Sequence, residues 1–211
     1  MSLPASRTCW YACRHPSHLF SVCSPEELCR DKSKHVIAAI EYAIVNLGST
    51  ATLRASTPAL DFSPAPAWYD MDTETAHEAS ASRVLLRSES PVPEFVSNVV
   101  VQYFDLGPID VLRLDTLDTT LDIAALENAT VLNHSAHRDG YLCVDDGNYT
   151  AKGRELRLRR SQLAYRGSDG HSMLSLFTGT VPIADWDRVI SEITEMEDRW
   201  LRTTTTTSGG N

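Results

Sequence analysis

Residues 155–180 read ELRLRRSQLAYRGSDGHSMLSLFTGT. Leu156 and Leu158 alternate with charged neighbours, the two-residue period of a strand with one wet face. Gly167-Ser168-Asp169-Gly170 is a turn cluster, because Gly and Asp accept the backbone angles that a tight reversal needs. Ser172 to Thr180 is again apolar and β-favouring. The stretch reads as two strands, Glu155–Tyr165 and Ser172–Thr180, joined antiparallel.

Outward from this pair the same reasoning gives further strands at Ala129–His134, Gly140–Val144 and Tyr149–Gly153, with Asp145-Asp146-Gly147-Asn148 as a second turn. Thr50–Ala55, Arg83–Ser88 and Asn98–Phe104 are β by their branched and apolar content. Pro91 and Pro93 punctuate the gap between the last two. Ser56–Ala67 carries Pro58, Pro64 and Pro66 and reads as a loop. Asp72–Ser80 is a short helix or a loop.

Two helices frame the strands. Ser24 can cap a helix, Pro25 suits its first position, Glu27 completes a capping box, and Gly48 can close it, so a helix is expected over Pro25–Leu47. A C-terminal helix begins near Pro182, with Trp186, Val189, Ile190, Ile193, Met196, Trp200 and Leu201 as its apolar stripe. A third segment has two readings. Val111-Leu112-Arg113-Leu114 alternates like a strand, yet Val111, Leu114, Leu117 and Leu121 fall on one helical stripe behind Pro108; a helix over Ile109–Leu121 is the expectation. Thr203–Asn211 is a polar tail, expected to be disordered. The resulting division is an extension with its helix over 1–49, an α/β domain over 50–202, and a tail over 203–211.

The 211 residues allow one domain with a real core, and 42% apolar with 22% charged residues is a globular composition. The net charge of −9 repels phosphate backbones, so no nucleic-acid partner is expected. The basic run Lys152–Arg160 reads as the solvated face of a strand. No stretch approaches the roughly 20 apolar residues of a membrane span. Met1–Leu19 shows no secretory apolar core, which points to the cytoplasm.

Candidate chemistry is sparse. Cys9, Cys13, Cys23 and Cys29, with His15 and His18, could supply the four N or S ligands of a structural zinc, although the spacings Cys9-x3-Cys13 and Cys23-x5-Cys29 are wider than those of a zinc knuckle. His134 and His137, with Asp139 and His77, could hold a catalytic metal if a turn brought them together, but on a strand the two histidines face opposite ways. Trp68, Tyr69 and Asp70 follow the proline-rich loop and are the candidate binding residues; they could equally close one end of the core. Asp70 with Asp72, and Asp145 with Asp146, read as turn formers rather than an acid–base pair set across a cleft. Cys143 lies in an apolar strand context where thiols are inert. G-x-S-x-G, Walker A and G-x-G-x-x-G patterns are absent.

From Pro66 to Trp200 the order of elements resembles the PsbP-like (Mog-type) α/β/α fold, and more narrowly the LpqN-type actinobacterial lipoproteins. The resemblance is carried by Pro66-Ala67-Trp68 (P-x-W), Phe95-Val96-Ser97-Asn98-Val99-Val100-Val101 (F-x-x-N-V-V-V), the Asp139-Gly140-Tyr141 turn, and Leu174-Ser175-Leu176-Phe177-Thr178-Gly179 before a terminal helix. It implies a twisted antiparallel sheet flanked by helices and a non-catalytic binding or scaffolding role through a protein partner. It also implies a cell-envelope setting, at odds with the cytoplasmic expectation. No lipobox cysteine stands behind an apolar run, and the first fifty residues have no counterpart. The other expectations in play are a carrier of a lipid or small apolar ligand, and a metal-dependent enzyme built on His134 and His137.

Overall fold

The computed structural model describes residues 38–57 and 60–208, with side chains as far as Thr205. The four N-terminal cysteines and the start of the first expected helix lie outside the described residues. Helix α1 spans Ala39–Leu47, and Gly48 closes it with φ 69°, the left-handed cap expected of it. Ala39 and Ala43 are buried against Leu106, Leu112 and Leu174, so this helix joins the core of the sheet.

Among the described residues, eight strands form one antiparallel sheet. They are β1 Thr52–Arg54, β2 Trp68–Asp70, β3 Arg83–Arg87, β4 Asn98–Gly107, β5 Thr130–His137, β6 Leu142–Ala151, β7 Arg154–Arg166 and β8 Ser172–Pro182. The order is β2-β3-β4-β8-β7-β6-β5, and β1 pairs with β4. Because β4 meets β3 through Asn98–Val101 and β1 through Tyr103–Asp105, the two short strands lie end to end along one side of it. The pair that opened the sequence reading is β7 and β8, central in the sheet.

Three expectations fail, each for a physical reason. Asp145-Asp146-Gly147-Asn148 is no turn; it runs through the middle of β6, paired residue by residue with β7. The reversal falls at Lys152-Gly153, where φ of 50° and 74° gives the mirror-image two-residue turn that matches strand twist. The expected helix over Ile109–Leu121 is absent. Residues 108–113 are irregular, and a 3-10 turn (Leu114–Thr116) precedes a one-turn helix, α3 (Leu121–Ala124). Leu112 and Leu114 are buried while Arg113 and Asp115 are not, an alternation along a segment that is neither the helix nor a strand. Residues 203–208, expected to be a disordered tail, continue helix α4, Trp186–Ser208. Thr204 takes the next place on the stripe of Val189, Ile193, Met196 and Trp200 and is fully buried, and its hydroxyl donates to the Trp200 carbonyl at 2.8 Å.

Each face of the sheet is covered. Helix α4 lies on one, over Leu85, Val99, Val101, Phe177 and Val181. Gly179 leaves the space that Ile193 fills: a Cβ there would stand 2.8 Å from Ile193 Cγ2. Helix α1 and the 109–125 segment cover the other face over Leu106, Cys143, Ala164, Leu174 and Leu176. Helix α2 (Thr73–Glu78), capped by Asp72 accepting from the Thr75 N–H, adds Ala76 against Val84. The result is an α/β/α sandwich.

Candidate functional site

A double set of charged groups lies where β6 meets β7. Strand register sets Asp145 opposite Arg160 and Asp146 opposite Arg159. Side chains alternate between faces, so the two acid–base rows part company. On the α4 face, Arg159 Nε donates to Glu197 Oε2 at 2.7 Å and Nη1 lies 3.3 Å from both Asp146 oxygens. Ser161 donates to the other Glu197 oxygen, and Glu197 is 3% exposed. Burial works against the charge on Arg159, but Glu197 and then Asp146 outweigh it and hold the guanidinium above its ordinary pKa. Nearby, Arg157 lies 4.4 Å over the Trp186 ring.

On the opposite face the row runs His134, Asp145, Arg160, Thr178 across four strands. Asp145 is fully buried. It accepts from Thr119 Oγ1 at 2.8 Å and from His134 Nδ1 at 2.6 Å. Arg160 turns from Asp145 to Asp122 and Thr178. A buried carboxylate holding one imidazole nitrogen is an arrangement that orients a histidine for proton transfer. Among the described residues, however, no hydroxyl or thiol bonds to the second nitrogen of His134. Cys143 shares this face, and burial raises its thiol pKa, which keeps it protonated and inert.

Sequence reasoning missed this double row, and a signal for it was present. Asp145-Asp146 and Arg159-Arg160 stand at equal distances from Lys152-Gly153, so a hairpin closed there must pair them. Gly147 also explains why a turn-like quartet can be strand: a Cβ there would stand 2.6 Å from Ile123 Cγ2.

The other predicted residues are dispersed. Trp68 is buried in the core, its indole N–H donating to Glu192 at 2.7 Å, and Arg87 grips the same carboxylate with two bonds of 2.9 Å. Asp70 takes two bonds from Arg83, whose third arm reaches the Phe62 carbonyl and Asp61. Tyr69 and Asp70 are both about half exposed. His134 and His137 lie on opposite faces of β5, and His137 bonds to Ser135; they do not converge, and His77 sits on α2. Asp105, Asp169 and His171 do bring three donor atoms within 4.8 Å of one another. The guanidinium of Arg54 already stands against both carboxylates, and His171 Nδ1 bonds to Asp105 at 3.0 Å, so this group ties β1 and β4 to the β7–β8 turn.

This architecture, an antiparallel sheet between helices, is the PsbP-like α/β/α class of fold that the sequence resemblance implies. Among solved structures the chain is similar to LpqN, described as involved in cell envelope biogenesis of Mycobacterium tuberculosis, with a TM-score of 0.61 and 12% identity. The match covers 74% of this chain and 92% of LpqN. Identity that low shows the shared fold and nothing finer. No protein-family model matches the chain, and no curated protein does.

Proposed function

We propose that this chain is a non-catalytic binding protein that acts through a protein partner. The observation that carries the reading is the internal closure of its charged clusters. Arg159 pairs with Glu197 and Asp146, Arg160 with Asp122, Arg83 with Asp70, and Arg54 with Asp105. Groups held in pairs with one another stiffen the fold, whereas acid–base chemistry needs them open to a substrate. The surface instead offers apolar side chains, with Tyr69, Val45 and Val92 at 50%, 62% and 79% exposure. LpqN's involvement in cell envelope biogenesis favours an envelope setting for the partner.

The test is cross-linking of the intact chain in its source cells, then reconstitution of the captured protein with the purified chain. The expected result is a defined complex with a Kd of about 1 µM or tighter. A hydrolase or transferase activity of the purified chain that His134→Ala abolishes, with folding intact, would overturn the reading.

A further inference from the structure

The pairing of β4 with β8 is irregular between Asp105 and Gly107. Such irregularities re-aim a side chain, and here the Gly107 N–H donates to Asp105 Oδ1 at 2.8 Å. The β7–β8 turn brings Asp169 and His171 to the same place. The Gly167 N–H donates to the His171 carbonyl at 2.8 Å, and the His171 N–H donates to Asp169 Oδ1 at 3.0 Å. Asp169 Oδ2 is left 3.4 Å from the Arg54 guanidinium and 4.0 Å from His171 Nδ1. That ring nitrogen stands 3.0 and 3.2 Å from the two Asp105 oxygens. Among the described residues, these are the three metal-ligating side chains whose donor atoms all lie within 4.8 Å of one another.

We propose that Asp105, Asp169 and His171 form a binding site for a divalent cation of the zinc type, which enters by displacing the Arg54 side chain. Donors about 2.0 to 2.1 Å from a tetrahedral ion stand about 3.3 Å from one another. His171 Nδ1, at 3.0 Å from one carboxylate and 4.0 Å from the other, brackets that spacing. The ion takes the place of the hydrogen that Nδ1 now donates. One imidazole with two carboxylates suits zinc, whereas magnesium and calcium favour oxygen alone. Arg54 brings one positive charge to the two carboxylates, and a divalent ion brings two. The guanidinium marks where a cation is held, and it is able to leave: the side chain is 46% exposed, while backbone pairing with Tyr103 keeps β1 in the sheet. Asp169 and His171 are also open to solvent, so a water can complete the four ligands. Burial works against the charge on Asp105, but the Gly107 N–H, Arg54 and His171 outweigh it and hold its pKa below the ordinary value.

Equilibrium dialysis of the full chain against Zn2+ tests this, with accessible thiols alkylated so that the N-terminal cysteines do not bind the ion. The expected result is zinc held with a Kd of about 10 µM. His171→Gln and Asp169→Asn each weaken this binding about tenfold or more. Arg54→Gln removes the competing guanidinium and tightens it about tenfold, a gain that neither misfolding nor a stray surface histidine produces. Without metal Arg54→Gln lowers Tm, and zinc raises the Tm of that variant more than that of the parent chain. Circular dichroism verifies that each variant is folded. No zinc bound, binding indifferent to His171→Gln and Asp169→Asn (an adventitious ion only), or an Arg54→Gln chain that binds no more tightly overturns the proposal. Each of those results leaves the protein partner proposed above standing.

Discussion

Arg159 and Glu197 meet at 2.7 Å between the middle of β7 and the inner side of α4, with the carboxylate almost entirely out of water. Removing one member of such a pair strands the other. Glu197→Leu is expected to cost about 3 kcal/mol, and Arg159→Met with Glu197→Leu together should recover most of it. Urea unfolding at neutral pH reads both, as a shift in midpoint with unchanged slope. A double variant no better than the single one would mean that the pair's burial does not set the cost.

Gly179 tests how closely α4 is seated. Its missing side chain is the space occupied by Ile193, which is fully buried. Gly179→Ala should destabilise the fold by about 2 kcal/mol through overpacking, and Ile193→Val beside it should return part of that. Thermal melts of the two variants decide it.

Asp145 is expected to matter for β5 rather than for α4. Asp145→Ala leaves the Thr119 hydroxyl and the His134 ring without their acceptor inside the protein, at a cost of about 2 kcal/mol. Amide exchange should quicken along Thr130–His137 more than along β8. Uniform exchange across the sheet would contradict this.

Glu192 predicts a pH dependence. The hydrogen bond from Arg87 holds its pKa below the ordinary 4.5; burial opposes that, and the Trp68 indole adds to it. A carboxylate depressed by folding contributes stability above its unfolded pKa and loses that contribution as pH falls through the folded value. Glu192→Gln should therefore lower Tm clearly at neutral pH, and the gap from the parent chain should close in strong acid. Partial exposure keeps the effect near 1 kcal/mol. An equal gap at both pH values would show that the charge is not the cause.

Much of the fold was legible because its signals are local. Leu156 and Leu158 alternate in β7, Gly167 to Gly170 reverse the chain, and Gly48 caps α1. Expectations failed where distant contacts overruled local preference. Asp145-Asp146-Gly147-Asn148 has turn composition, yet the arginines of β7 and the bulk of Ile123 make it strand. Threonines after Trp200 look like a solvated tail, yet Thr204 finds a buried site and a carbonyl on its own helix. Of the candidate binding residues, Trp68 is drawn into the fold by Glu192, Asp70 is held by Arg83 at the surface, and Tyr69 faces outward. That outcome depends on partners more than 120 residues away for Trp68, which composition alone cannot reveal.

The strand order also has a consequence in time. Strands β5 to β8 follow one another by successive reversals and can zip as they emerge from the ribosome. Strand β4 must wait for β8, its neighbour in the finished sheet, which is made after all of them. Until then Val99, Val101 and Tyr103, fully covered in the mature fold, stand on an unshielded ribbon. Long-range pairing of this kind is slow and leaves nascent chains prone to association. The interval between synthesis of Gly107 and arrival of α4 is therefore when the nascent chain is most open to association.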